Sequence, residues 1–213
     1  MFRVISILAL VITYIFIAIS LKNNQANFKK WFSIQSSNIA EILTNLKKSN
    51  TGKIIKSLLL PIIFLCINLL ALTGFVTIII LGKPISTYML LIHVSLAPLF
   101  AICMVIVTLL WAPKNNFDKK DWETFCNLKS SKKEMRIELF QKVGFWLIIV
   151  LTLPIILSIL LSMYPIFGSE IQHSLLTTHR YTTLVFVIIS TWYVYFSIIK
   201  DSKQTIQKQE GHI

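Results

Sequence analysis

Five long apolar runs constrain this chain of 213 residues more than any other feature. They cover residues 4–21, 58–81, 88–111, 143–164 and 181–199. A helix that crosses a bilayer needs about 20 mostly apolar residues, so each run is predicted to be a transmembrane helix. The composition, 55% hydrophobic and 14% charged, excludes an ordinary soluble globule. The predicted fold class is an all-α integral membrane protein, in which one N-terminal transmembrane helix precedes a four-helix transmembrane bundle.

The polar residues divide the chain into four parts. We predict an N-terminal transmembrane helix over residues 1–21, a basic cytoplasmic connector over 22–53, the membrane bundle over 54–200 and a cytoplasmic tail over 201–213. Gly82 and Pro84 separate the second and third runs and predict a tight helical hairpin. Residues 165–180 are predicted to be a polar connector. Apolar positions at helical spacing in residues 24–46 fit either a helix on the inner membrane surface or a solvated connector.

Basic residues are distributed unequally between the two sides of the predicted bundle. The 22–57 segment carries seven, the 112–142 loop eight and the tail three, whereas the opposite side carries only Arg3, Lys83 and Arg180. Lysine and arginine concentrate in cytoplasmic loops, so the N-terminus is predicted outside and the C-terminus in the cytoplasm of a bacterial inner membrane. Anionic membrane lipid accounts for the net charge of +12, so no nucleic-acid partner is needed.

The first run has a second interpretation. Arg3, the apolar stretch and the small residues Ala18 and Ser20 also resemble a secretory signal peptide. Cleavage there would leave residues 22–57 outside and would invert every later helix. Because the basic loops would then lie on the wrong side, an uncleaved helix is the preferred interpretation.

Motifs of soluble enzymes are missing from the sequence. Cys66, Cys103 and Cys126 form neither a disulfide framework nor a paired metal site, and the lack of C-x-x-C-H excludes a covalent c-type heme. The sequence contains no G-x-G-x-x-G, P-loop, H-E-x-x-H or G-x-S-x-G motif. Any chemistry must therefore lie within the membrane.

The histidines are the candidate functional residues. His93 lies inside the third run, His179 immediately precedes the fifth, His173 lies six residues earlier, and His212 is in the polar tail. If the fifth helix begins a turn before its apolar run, near Leu175, His93 and His179 reach a similar depth. Two imidazoles on different helices can bind the iron of a b-type heme from both faces. A structural interhelical hydrogen bond, or a proton or substrate path, is the alternative role of His93.

The surroundings of this pair fit a heme. Gly74 would let a porphyrin approach the second helix. Arg180 or Lys83 would pair with a heme propionate, and Arg180 has the better geometry for a carboxylate. The residues predicted to orient a ligand imidazole are Ser95, Thr177 and Thr178. His173 has three candidate roles: the alternative metal ligand, a proton acceptor at a quinone site, or a solvated residue.

From about residue 54 to residue 199 the chain resembles transmembrane cytochrome b subunits. Its layout is similar to the membrane cytochromes of formate dehydrogenases and nickel-iron hydrogenases, and it looks most similar to small b-type proteins that accompany periplasmic multiheme cytochromes c. The resemblance is carried by residues 72–75 (LTGF), 91–100 (LIHVSLAPLF) and 162–181. It implies one heme b with His93 and His179 as axial iron ligands and with Gly74 and Arg180 beside it.

The resemblance has one clear departure. Members with two hemes carry a second histidine pair near the inner face, where this chain has residues 56–60 (KSLLL) and Trp192-Tyr193. We therefore expect an electron-transfer subunit of a membrane oxidoreductase complex, rather than a stand-alone enzyme, that connects the quinone pool with an outward-facing cytochrome c. The alternative is a heme-free membrane anchor or scaffold. A transporter is disfavoured because no Asp or Glu lies within any run.

Overall fold

The computed structural model describes residues 1–22, 51–83, 85, 87–164 and 167–210, together with residues 29, 33, 36, 37 and 40. Most of the 24–46 segment, and with it most of the predicted 22–53 connector, lies outside the described residues, as does His212. The described part of the chain contains six α-helices and no strand. The helices are α1 (Phe2–Lys22), α2 (Thr51–Ile79), α3 (Thr87–Trp111), α4 (Lys119–Cys126), α5 (Lys133–Met163) and α6 (Ser169–Glu210).

Five of these helices are long and apolar enough to cross a membrane, which confirms the predicted fold class. The candidate spans are Phe2–Ser20, Ile55–Ile79, Tyr88–Asn115, Lys133–Met163 and Ser169–Lys200. Helices suit this environment because every backbone polar group is satisfied within the segment. Pro61, Pro98 and Pro154 lie inside α2, α3 and α5. Such prolines are tolerated in transmembrane helices, where neighbouring groups satisfy the freed carbonyls.

Two predicted loops are in fact partly helical. The polar connector predicted over residues 165–180 is wrong from Ser169 onward, because α6 begins there. Its polar side chains are compatible with a helix, since the hydroxyls of Thr177 and Thr178 donate to carbonyls one turn earlier. The 112–142 loop contains a 3-10 turn (Ala112–Asn115), α4 and the first turns of α5. Helix α5 begins at Lys133, within residues 131–134 (SKKE), which the sequence offers as the start of a helix that runs into the fourth span.

Arg3 joins the first helix to the end of the second. Its Nε atom donates to the carbonyl of Ile79 at 2.7 Å, which satisfies a carbonyl at the end of α2. The turn between α2 and α3 follows, with Gly82 at a φ of 64°, a conformation that favours glycine. Phe2 also lies 5.0 Å from the ring of Tyr181, centre to centre. The starts of α1, α3 and α6 therefore lie at one end of the bundle, which we term the Arg3 end.

The core lies between α2, α3, α5 and α6. Its buried residues are Leu59, Ile63, Cys66, Phe100, Cys103, Met104, Ile155, Phe186 and Val187. Phe100 of α3 and Phe186 of α6 meet edge to face at 5.7 Å. Helices α5 and α6 form the most extensive pair, followed by the α2–α3 hairpin, and α1 packs against α6 and α2. The outward faces carry exposed residues such as Leu109, as expected where lipid covers the surface, and the fold is consistent with a multi-pass membrane protein.

A buried ion pair fastens α4 to α5 at the opposite end of the bundle, termed here the lysine-rich end. The Lys142 ammonium lies 2.6 Å from a carboxylate oxygen of Asp121 and 3.6 Å from one of Asp118. Burial alone would raise the pKa of the Asp121 carboxyl, but the Asp118 backbone N–H and the Lys142 ammonium outweigh burial and hold this pKa below its ordinary value of 3.8. The pair is therefore ionised in the folded chain at neutral pH.

Asp121→Asn is expected to destabilise the protein by about 3 kcal/mol, because it leaves the Lys142 ammonium buried without its closest partner. The matched double variant, Asp121→Asn with Lys142→Met, removes the stranded charge and should recover most of that loss. Unfolding of the purified chain in mixed micelles, followed by circular dichroism, measures both effects. Equal stability of the single variant and the parent would contradict the assigned role of the pair.

The contribution of Asp121 is expected to depend on pH. Because its pKa is depressed in the folded state, the stabilisation is fully present above its ordinary value of 3.8 and is lost as the pH falls through the lower folded value. The stability difference between the parent and Asp121→Asn should therefore be constant near neutral pH and shrink in acid. A difference that grows on acidification would have the wrong sign.

Candidate functional site

His93 and His179 face each other near the Arg3 end of the bundle. His93 lies six residues into α3 and His179 ten residues into α6, which is about 9 Å and 15 Å along the two helix axes. The centres of the two imidazole rings are 6.5 Å apart, and the ring planes are inclined by 76°. The sequence predicts that the two rings can meet if the fifth helix begins at least one turn before its apolar run. Helix α6 does so, because it begins at Ser169.

The Nδ1 atom of His93 is held by α2. It lies 2.9 Å from the hydroxyl oxygen of Thr73, which is buried. That hydroxyl has its own acceptors, the carbonyls of Leu69 at 2.8 Å and Leu70 at 3.1 Å. A hydroxyl that donates to a carbonyl is left as an acceptor toward the ring. The bonding pattern therefore places the His93 proton on Nδ1 and leaves a lone pair on Nε2.

The Nδ1 atom of His179 is held in the same way by α5. It lies 3.1 Å from the carbonyl oxygen of Ile155, which can only accept, and 3.4 Å from the hydroxyl of Ser158. The Ser158 hydroxyl in turn donates to the Ile155 carbonyl at 3.0 Å. The proton of His179 is thus also assigned to Nδ1, and its Nε2 carries the free lone pair.

Neither Nε2 atom has a hydrogen-bond partner among the described residues. Imidazoles that bind a metal through one nitrogen almost always donate the other N–H to a carbonyl or a similar acceptor. A ligating nitrogen lies about 2 Å from its metal, so two imidazoles on opposite sides of one ion have ring centres roughly 6–6.5 Å apart. The observed separation of 6.5 Å lies within this range.

The number of ligands limits which metal group can fit. Within the part of the chain that the structure describes, no group of three or more His, Cys, Asp or Glu side chains can hold a metal ion. A structural zinc site needs four ligands and a catalytic site needs three from the protein. A pair of imidazoles suits, by the number of its donors, a group that would bring its remaining ligands with it, and two histidines are the protein donors of a bis-histidine heme.

Gly74 and Arg180 lie next to the two histidines. A Cβ atom built at Gly74 would lie 3.4 Å from Cε1 and 3.9 Å from Nδ1 of the His93 ring, so this ring packs against α2 beside the glycine. The Arg180 side chain is half-buried, and its guanidinium makes no hydrogen bond or ion pair with the described residues. The Arg3 guanidinium is engaged by carbonyls of α2, and Lys83 is exposed.

Aromatic residues close this region on the side of α1. The Phe2 ring stacks on Phe75, with centres 6.5 Å apart, and contacts the edge of Tyr181. Phe75 directly follows Gly74 and Tyr181 directly follows Arg180, so the first turn of α1 lies beside both helices that flank the histidine pair. His173 is exposed, and the ring that meets His93 is that of His179.

The residues that orient the imidazoles are not the predicted ones. Thr177 and Thr178 donate to carbonyls of their own helix, and Ser95 is exposed, so the predicted role of these three is wrong. Thr73 and the Ile155 carbonyl hold the rings instead. The sequence carried a signal for Thr73, because it precedes Gly74 in the stretch that supports the cytochrome b resemblance. No sequence signal marks a single backbone carbonyl.

Aromatic residues occupy the region where a two-heme relative would carry its second histidine pair. The Tyr193 ring lies against Gly144 of α5, where an added Cβ would be 3.5 Å from its Cδ2 atom. Trp192 packs against Phe16 of α1 at 5.1 Å and against Phe196 at 5.8 Å. Aromatic packing between α1, α5 and α6 therefore occupies the Trp192-Tyr193 half of this region, whereas the other half, residues 56–60 (KSLLL), is not aromatic.

Comparisons with protein families, with curated proteins and with solved structures find no match to this chain. The resemblance to transmembrane cytochrome b subunits is therefore not supported by an independent relative.

Proposed function

We propose that this chain is a membrane electron-transfer subunit that binds one b-type heme between His93 and His179. One observation carries the proposal: two imidazoles from separate helices, with ring centres 6.5 Å apart, each use Nδ1 for a hydrogen bond and leave Nε2 unpartnered among the described residues. In an apolar bundle such lone pairs are left without a partner unless a metal or a donor takes them up.

The residues of the site have distinct roles in this proposal. His93 and His179 are the axial iron ligands. The Thr73 hydroxyl and the Ile155 carbonyl fix the ring orientations and raise the basicity of the ligating nitrogens. Arg180, beside His179 and free of other ion pairs in the described chain, is the candidate partner for a heme propionate. A bound b heme supplies one-electron exchange between its ferric and ferrous states.

The distribution of charge indicates which side the site faces. The Arg3 end of the bundle has few basic residues, whereas the loops and tail at the other end are rich in lysine. By the positive-inside rule the Arg3 end faces outward, in a bacterial inner membrane. A single heme near that face cannot connect the two sides of a hydrocarbon core about 30 Å thick. The proposed partners are therefore the quinone pool and an outward-facing cytochrome, such as a multiheme c-type protein.

A heme-free anchor subunit is the second candidate function. The observation in its favour is that the two histidine rings already contact each other edge to face, a geometry that can join α3 to α6 without any metal. In that case the pair is purely structural, and the lysine-rich end docks a larger complex. The two candidates differ in whether the purified chain carries a heme spectrum.

The first prediction from the proposal concerns the ligands. The purified chain should show a Soret band and a sharp reduced-minus-oxidised spectrum of a low-spin b heme. His93→Ala and His179→Ala should each abolish that low-spin spectrum, because each removes one axial ligand. His173→Ala is the matched control, since His173 is exposed on the same helix as His179, and its spectrum should equal that of the parent.

Two outcomes would contradict the heme proposal. One is a correctly inserted chain that carries no heme after expression with ample heme supply. The other is a low-spin spectrum that survives in His93→Ala and His179→Ala. An intact complex of full activity in both variants would then support the anchor function.

A second prediction concerns Thr73. Thr73→Val keeps the shape of the side chain but removes the acceptor for the Nδ1–H of His93. Loss of such a supporting hydrogen bond typically lowers metal affinity by about 10- to 100-fold. Heme titration of the apoprotein should therefore show weaker binding, and the midpoint potential should rise because a less basic ligand stabilises ferric iron less.

Thr73→Ser provides the matched control for this experiment. It retains the hydroxyl and should keep both the affinity and the potential of the parent. If Thr73→Val and Thr73→Ser behave alike, the hydroxyl has no role in orienting His93.

A further inference from the structure

The short helix α4 presents an unpartnered aromatic pair at the lysine-rich end. Trp122 and Phe125 are 70% and 54% exposed. Their rings stack, with centres 5.8 Å apart and planes inclined by 19°. Phe117, just before the helix, is also exposed. Each large aromatic side chain can bury about 150–250 Å² of surface, so this cluster would be costly to leave in water.

Contacts with α5 determine which side of α4 faces the bundle. Asp121 and Thr124 are buried, and Asp121 pairs with Lys142 of α5. The reciprocal hydrogen bonds of Asp118 and Asp121 cap the first turn. An isolated helix of this length is unstable in water, so these contacts are what hold it.

Three faces follow from the helical period of 3.6 residues per turn. The first, Asp121 and Thr124, points to α5. Trp122 and Phe125 form a second face on one flank. The exposed charged residues Lys119, Lys120 and Glu123 lie on the other flank. An apolar face and a charged face on opposite flanks are typical of a helix that lies in a membrane interface.

The position of α4 along the bundle agrees with this pattern. The indole N–H of Trp146 donates to the carbonyl of Asn115 at 2.9 Å, which ties α5 to the end of the α3 span. Tryptophan is enriched at the boundary between hydrocarbon and headgroups. Lys142, which holds α4, is one turn from Trp146, about 6 Å farther out. The helix therefore lies at the level where lipid headgroups begin.

We propose that α4 is an interfacial lipid anchor: Trp122, Phe125 and Phe117 insert among the lipids, and nearby lysines attract anionic headgroups. The exposed lysines of this region are Lys114, Lys119, Lys120 and Lys129. Lipid is favoured over a protein partner because the spanning helices already hold α4 at the membrane, so insertion requires no further loss of translational freedom. This inference is independent of the heme proposal.

Spin-label accessibility tests the orientation of α4 in the full chain. In a Cys126→Ser background, which removes the exposed cysteine, a nitroxide is attached to Phe125→Cys or to Glu123→Cys; Cys66 and Cys103 are buried. The chain is reconstituted in vesicles of phosphatidylcholine and phosphatidylglycerol. The label at position 125 should collide severalfold more often with oxygen than with a water-soluble nickel chelate, and the label at 123 should show the reverse.

Two further measurements serve as controls, one for the effect of the substitutions and one for the charge of the lipid. A nitroxide on native Cys126, which needs no substitution and lies around the helix between Trp122 and Glu123, should give an accessibility between those of positions 125 and 123. Omitting phosphatidylglycerol, or adding salt, should make the label at 125 shallower, because both weaken the attraction of the lysines. A depth at 125 that is independent of anionic lipid would overturn the role of the lysines.

Two results would overturn the anchor itself. Equal exposure of positions 125 and 123 to the nickel chelate would place the aromatic face in water. Shielding of position 125 from both oxygen and the nickel chelate would mean that protein, and not lipid, covers this face.

Discussion

The satisfaction of polar groups inside apolar helices is the constraint on which this structure depends. In hydrocarbon, an unpaired hydroxyl or amide costs several kcal/mol, and the helices provide acceptors within themselves. The hydroxyls of Thr108, Thr152 and Thr191 each donate to a carbonyl one turn earlier in their own helix. The buried hydroxyls of Ser6 and Ser190 lack a hydrogen-bond partner among the described residues. His93 and His179 differ from all of these hydroxyls, because an imidazole has two nitrogens and the neighbouring helices bond one nitrogen of each ring and leave the other. The functional proposal follows from this difference.

The sequence predicts the spans well because lipid imposes a simple length rule. Each of the five apolar runs coincides with a helix to within two residues at its end, and the Gly82 turn lies where expected. The helix ends were predicted poorly, and α6 is the clearest case. Its first turns contain His173, Thr177 and Thr178, which look like loop residues in a hydropathy pattern. Polar side chains do not stop a helix when their hydroxyls bond to its own carbonyls.

Part of the candidate site was also accessible from the sequence. An ionisable ring within an apolar run is rare, so the sequence alone marks His93 as a candidate functional residue and predicts His179 as its partner. The sequence does not predict the groups that hold the rings. Which side chains of α2 face α3, and which of α5 face α6, depends on how each helix is rotated about its axis, and no short sequence pattern fixes that rotation. Thr73 contacts His93, and the carbonyl of Ile155 contacts His179, only because the helices are rotated in this way. The same applies to the Asp121–Lys142 pair, which joins separate helices.

The contacts of Phe2 and Arg3 have a consequence for biogenesis. They tie α1, the first of the described helices in the chain, to the end of α2 and to Tyr181 on α6, the last of them. Chains are synthesised and inserted from the N-terminus, so α1 must wait in the bilayer while the intervening helices emerge. His93 is delivered early and His179 late. The contact between the two rings can therefore form only after α6 has been translated, and a chain interrupted before α6 lacks the pair altogether.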